Sequence, residues 1–261
     1  MNTSLTGKTA VVCGSTQGIG LATAIALAKL GATCILLARN EEILKTALAQ
    51  LPVAAAQQHR YVVADFAHPE QVQTAIQQVV QQTEIHILIN NTGGPKAGPV
   101  TEATQQAFLD AFNQHLVCNH LLTQAVIPSM KDAGYGRIVN IISTSVKIPL
   151  PNLGVSNTIR GAVASWAKTM ANELGQFNIT VNNVLPGFIN TQRLHSLVQG
   201  NAQAKQVENT VIEKEMKESV PMKRFGEAEE IAAVAAFLAS PAASYVNGVS
   251  IPVDGGRTGS L

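Results

Sequence analysis

Ten residues near the start limit what this chain can become: Val11-Val12-Cys13-Gly14-Ser15-Thr16-Gln17-Gly18-Ile19-Gly20. An apolar run of strand length, Thr9 to Cys13, breaks into Gly14, Gly18 and Gly20. An Ala/Leu-rich run with no helix breaker follows, from Leu21 to Leu30. The pattern is strand, glycine turn, helix. Glycine lets a backbone turn tightly and approach an anion, and a helix N-terminus offers unpaired N–H groups and partial positive charge. The stretch therefore predicts a phosphate cradle, with Ser15, Gln17 and Ile19 filling the turn between the glycines. The alternative is a turn that only packs a helix on a strand.

Further along, apolar runs alternate with helical patterns, which predicts a parallel sheet built from βαβ units. Strands are expected at Thr33–Ala38, Tyr61–Ala64, Ile85–Asn90, Arg137–Ile142, Ile179–Val184 and Val249–Val253. Helices are expected from Asn40, which can cap one; over Pro69–Gln82; over Thr104–Asp132, as two pieces; over Val155–Leu174; and over Glu227–Ala239. Pro149 and Pro151 make Ile148–Gly154 a loop. The polar, Gln-rich stretch Asn190–Lys217 reads as helical, and segment 190–220 is a candidate substrate lid, with a solvated surface excursion as the alternative. With no repeat or linker, residues 1–261 read as one domain. Its expected form is a Rossmann-like, doubly wound α/β sheet of about seven strands in three layers, with its ligand at the C-terminal strand ends.

Composition fits this and excludes other classes. The chain is 46% hydrophobic and 13% charged, which suits a buried sheet under helices rather than disorder. A net charge of +1 without a basic run gives no footprint for nucleic acid. Nothing approaches the ~20 apolar residues of a membrane span, and Met1–Lys8 does not read as a signal peptide. Cys13, Cys34 and Cys118 stand singly, so packed core thiols in a reducing cytoplasm are expected, and no metal site. At the end of the second strand Arg39 appears with no acid before Glu41. An acid there favours NAD through the ribose 2′-OH, whereas arginine accepts a 2′-phosphate, so NADP(H) is expected over NAD(H).

The spacing Gly14-x-x-x-Gly18-x-Gly20 resembles the short-chain dehydrogenase/reductase family, with Cys13 where the family has Thr. The resemblance covers nearly the whole chain. Asp65 resembles the acid that contacts adenine. Asn90-Asn91-Thr92-Gly93 resembles Asn-Asn-Ala-Gly, and Pro186-Gly187-Phe188-Ile189-Asn190-Thr191 resembles Pro-Gly-x-x-x-Thr. The resemblance implies cofactor contacts from Asn91, Gly93, Pro186, Gly187, Ile189 and Thr191. It also implies hydride transfer between a nicotinamide and a small carbonyl or alcohol, in a homo-oligomer, tetramer or dimer.

The family's catalytic group is Ser, Tyr, Lys and Asn. Ser143 matches the serine, after Gly136-Arg137-Ile138-Val139-Asn140. The Tyr position, thirteen residues on, is Ser156, and the Lys position is Arg160. The helix that follows still matches, so Ser-x-x-x-Arg stands for Tyr-x-x-x-Lys. His115 falls at the Asn position, with Asn113 two residues away. A serine hydroxyl is a far weaker acid than a phenol, and arginine holds ribose or phosphate but does not relay protons. Candidate proton donors are Lys147, if desolvated; His115, near its ordinary pKa; or a water held by Ser156 and Arg160. A rival function is a nucleotide-binding sensor or assembly protein that has lost catalysis.

Overall fold

The computed structural model describes residues 1–54 and 56–260. Its centre is a sheet of seven parallel strands in the order β3-β2-β1-β4-β5-β6-β7. They are β1 (Thr9–Cys13), β2 (Thr33–Ala38), β3 (Arg60–Val63), β4 (Ile87–Asn90), β5 (Gly136–Ile141), β6 (Ile179–Pro186) and β7 (Ser250–Val253). The order reverses between β1 and β4, where Val12 pairs with Ile89. In open α/β sheets the ligand crevice lies at such a switch point.

Nearly continuous Val/Ile/Leu runs in β1, β2 and β4 require cover on both faces. On one face, α1 (Gly18–Lys29) and α9 (Ala228–Ala239) pack on Val12, Leu36, Ile89 and Val139. On the other, α3 (Pro69–Gln82), α5 (Cys118–Asp132) and α6 (Gly154–Leu174) pack on Val11, Ile35, Leu88 and Ile138. Local signals set the helix starts. Asn40 caps α2 (Glu41–Leu48) by accepting from Ile43 N–H at 3.0 Å. Pro69 begins α3, and a reciprocal Glu227/Glu230 capping box begins α9.

Two departures from expectation bear on the site. The helical stretch after Thr104 is α4 (Gln105–Phe112), then one π-helical turn, Asn113–Val117, before α5. Side-chain periodicity does not report that extra residue per turn, which aims His115 inward. β6 does not stop at Pro186 but includes it, paired with Val253. The polar segment is helical, as its sequence reads, and forms two helices, α7 (Gln192–Lys205) and α8 (Asn209–Glu218), which share a small core of Leu194, Val198, Ala202 and Ile212. The α7 members recur at the helical spacing of four within an otherwise hydrophilic stretch.

The three cysteines are free and buried, and burial pushes the Cys34 and Cys118 thiols up to about 12. No helix among the described residues is long and apolar enough to cross a membrane, and no cluster of potential metal ligands occurs among them.

Candidate active site

The glycine turn closes on itself. Gly14 and Gly18 have φ of +57° and +54°, the left-handed region that favours glycine. A Cβ on Gly20 would lie 2.1 Å from the Gly14 carbonyl oxygen, and one on Gly14 would lie 2.5 Å from the Asn91 carbonyl oxygen. The side chain of Asn91 stitches β4 to the turn: its Nδ2 donates to the carbonyls of Cys13 (3.3 Å) and Gly14 (3.2 Å). Thr191, at the start of α7, lies over the turn from the other side; its Cγ2 is 3.3 Å from where a Gly18 Cβ would stand.

This cradle has open valences. Gln17 occupies the cap position of α1 without a side-chain cap, and the first turn carries no acid. Ser15 is buried, and its hydroxyl has no partner. Buried polar groups are rarely left so. Donors without partners, a helix N-terminus and glycines with no room for a Cβ together fit a phosphate. Ile19 packs on the α1 side of the core.

Arg39 is exposed at the end of β2. The adjacent acids are taken: Glu41 and Glu42 lie 3.3 and 2.8 Å from Lys45, and Glu41 accepts from the Tyr61 hydroxyl at 2.9 Å. Arg39 forms no ion pair among the described residues, which leaves its guanidinium available to an outside anion. Asp65 accepts from Ala67 N–H at 3.0 Å and is partly exposed. Gly93 is exposed. Gly187 N–H donates to Val253 O at 3.1 Å, and a Gly187 Cβ would lie 2.6 Å from Asp254 Cβ, so glycine permits the approach of β6 to β7. Ile189 is buried and bridges to Gly226.

Deeper in the crevice, Ser143 follows β5, and its Oγ accepts from Ser145 N–H at 3.1 Å. Ser156 lies in the first turn of α6, half-buried, with Arg160 one turn on. Arg160 is 7% exposed; its two Nη atoms donate to Ile141 O and Thr92 O, each at 3.3 Å. It has no carboxylate partner among the described residues. Burial, and then the charge of Arg193, lower its pKa to about 10, so it is still a cation at neutral pH.

His115 is fully buried, and its Nδ1 meets the Thr92 hydroxyl in a short hydrogen bond. Burial, reinforced by Arg160, lowers its pKa to about 2. The expectation that it titrates near its ordinary value is corrected: the imidazole is neutral. Lys147 is exposed, so the desolvation that its acid–base role required is absent. No tyrosine takes the place. The Tyr135 hydroxyl is bound to Ala239 O at 2.7 Å, Tyr61 to Glu41, and Tyr245 is fully exposed.

Sequence reasoning missed three residues. Thr92 joins His115 to Arg160 through its hydroxyl and carbonyl. Asn157 pins the proline-flanked loop, accepting from Leu150 N–H at 3.4 Å and donating to Leu150 O at 2.9 Å. Arg193 reaches from α7 to Pro95 O at 2.7 Å. Only position two residues beyond Thr191 could have pointed to Arg193.

A parallel sheet with its switch point over an open glycine cradle defines a Rossmann-like nucleotide-binding protein. A family model described as enoyl-(acyl carrier protein) reductase matches residues 14–258. The NADPH-dependent reductase BacG of Bacillus subtilis is 32% identical over 260 residues, covering 97% of this chain and 99% of that protein. The 3-oxoacyl-[acyl-carrier-protein] reductase FabG of Pseudomonas aeruginosa is 33% identical, covering 97% and 98%. The structure of L-sorbose reductase from Gluconobacter frateurii with NADPH and L-sorbose superposes with a TM-score of 0.93 at 30% identity, covering all of both chains. The chain belongs to the short-chain dehydrogenase/reductase family of oxidoreductases.

Proposed function

We propose that the protein is an NADP(H)-dependent oxidoreductase moving hydride between the nicotinamide and a small carbonyl or alcohol. In this reading it acts as a single nucleotide-binding domain, with segment 190–220 as a lid and an atypical catalytic group. The observation that carries it is an open glycine cradle paired with the exposed guanidinium of Arg39 at the end of β2. Relatives named for NADPH support the same cofactor. β7 is an edge strand, which a homo-oligomer could extend.

The residues divide the work as follows. The Gly14–Gly20 turn and Ser15 receive the phosphates, and Arg39 receives a 2′-phosphate. NADPH, when bound, supplies the hydride. Ser143, whose Oγ is fixed by Ser145 N–H, donates its hydroxyl hydrogen to the substrate oxygen. Arg160 offers fixed positive charge to ribose hydroxyls and to that oxygen as negative charge develops. It does not relay the proton. A neutral His115 and an exposed Lys147 leave a water held between Ser156 and Arg160 as the proton source.

The rival is a nucleotide-binding protein without catalysis, favoured by the absence of a tyrosine from the site. NADPH oxidation against a panel of aldehydes and ketones separates the two. The proposal expects turnover that Ser143→Ala lowers about a hundredfold, the usual effect of losing one donor to a developing oxyanion. Cofactor binding with no carbonyl turned over, or a Ser143→Ala rate equal to wild type, would favour the rival.

A further inference from the structure

Two guanidiniums flank the segment from Thr92 to Pro95, Arg160 buried and Arg193 exposed, and neither is paired with an acid among the described residues. Arg160 donates to Thr92 O from below, and Arg193 donates to Pro95 O from the first turn of α7. They bracket Gly93 and Gly94; a Cβ on Gly94 would lie 3.4 Å from Arg193 Nη2. They are near enough that the charge of Arg193 helps to depress Arg160. His115, bonded to Thr92, is held neutral by its burial and, secondarily, by the charge of Arg160.

The acids of α8 and Glu230 do not answer this charge. On α8, Glu213, Glu215 and Glu218 pair with Lys217, Lys205 and Lys223. Glu230 pairs with Arg224. A buried cation without a counter-ion is unfavourable, and a second cation beside it makes it more so. An arriving anion would offset the burial of Arg160, with the exposed Arg193 placed to meet it first. Arg160 uses two N–H donors on carbonyls and Arg193 one, out of five on each guanidinium, so donors remain in the fork geometry that matches a carboxylate.

We infer that the substrate carries an acid group, a carboxylate in the simplest case, within a carbon or two of its carbonyl, and that Arg193 is the residue that selects it. The inference rests on the oxidoreductase reading above. The cofactor's phosphates have the glycine turn and Arg39, whereas Arg193 lies over Gly94, beside Arg160. Arg160 holds the reacting end, and Arg193 anchors the acid at the mouth. Keto acids, rather than neutral ketones or sugars, are the matching class.

Calorimetry on the NADP⁺-saturated protein tests this with acetoacetate and its ethyl ester as probes, in wild type, Arg193→Gln and Arg193→Lys. Wild type is expected to bind the acid about tenfold or more tighter than the ester, the scale of a charge-assisted bidentate contact. Arg193→Gln should weaken the acid by about the same factor while leaving the ester and NADP⁺ within about twofold; Arg193→Lys should restore part of the loss. Equal binding of acid and ester by wild type, or binding of neither, overturns the inference. So does an Arg193→Gln variant that loses NADP⁺ affinity with the acid-to-ester ratio unchanged, which would make Arg193 a ligand of the cofactor's phosphates. Failure of NADP⁺ itself to bind would defeat the oxidoreductase reading, and the acid-to-ester ratio of the cofactor-free protein would then decide this one.

Discussion

His115→Asn is expected to make the protein less sensitive to acid, by an amount set by the burial of one imidazole. In the fold His115 is fully buried and held at a pKa of about 2, against an ordinary value of 6.5. Between those values the unfolded chain binds a proton that the native state does not, so stability falls as pH falls. The loss begins below 6.5 and is complete only near the folded value. At 1.36 kcal/mol per pH unit, lowering pH from about 6.5 to about 4.5 removes roughly 3 kcal/mol through this residue. Asparagine fits the same turn, can still meet the Thr92 hydroxyl, and does not titrate. Urea unfolding at about pH 7.5 and about pH 4.5 measures the effect. Wild type should lose roughly 3 kcal/mol more than His115→Asn across that interval. Equal losses in the two proteins would mean that the imidazole is reachable by water or already charged, and the assignment of a neutral His115 would fall.

Two other outcomes follow from local geometry. Gly20→Ala places a Cβ 2.1 Å from a backbone oxygen, so the turn must open. The variant should lose about 3 kcal/mol of stability, read by thermal melting, and its affinity for NADPH. Asn157→Ala removes both bonds to Leu150 and should cost about 1–2 kcal/mol, with faster proteolytic cleavage in loop 148–154.

Much of the scaffold could be read in the residues themselves because the signals are local. Gly14, Gly18 and Gly20 mark a turn whose backbone admits no side chain, and Asn40 and Pro69 mark helix starts. Strand positions followed from apolar runs, with ends one or two residues off where pairing, not hydropathy, decides the boundary. The site was less legible because its residues act across the sheet. Thr92 touches His115 and Arg160, which lie 23 and 68 positions away. Arg193 reaches Pro95 across 98 positions. Spacing along the chain carries no record of such contacts. The pKa of His115 depends on a π-helical turn and a buried arginine, neither of which shows in periodicity. The side chain of Asn91 also acts across the sheet, holding the glycine turn together from β4, which its place in a motif does not state.

Calorimetric titration of the protein with NADPH and with NADH, repeated on Arg39→Ala, tests the central claim most directly. The account predicts that wild type binds NADPH at least about tenfold tighter than NADH, a charge-assisted contact to the 2′-phosphate being worth that much. Arg39→Ala should erase the difference by weakening NADPH alone. Equal affinity for the two cofactors in wild type and variant would contradict the role of Arg39, and binding of neither would contradict the cofactor cleft itself.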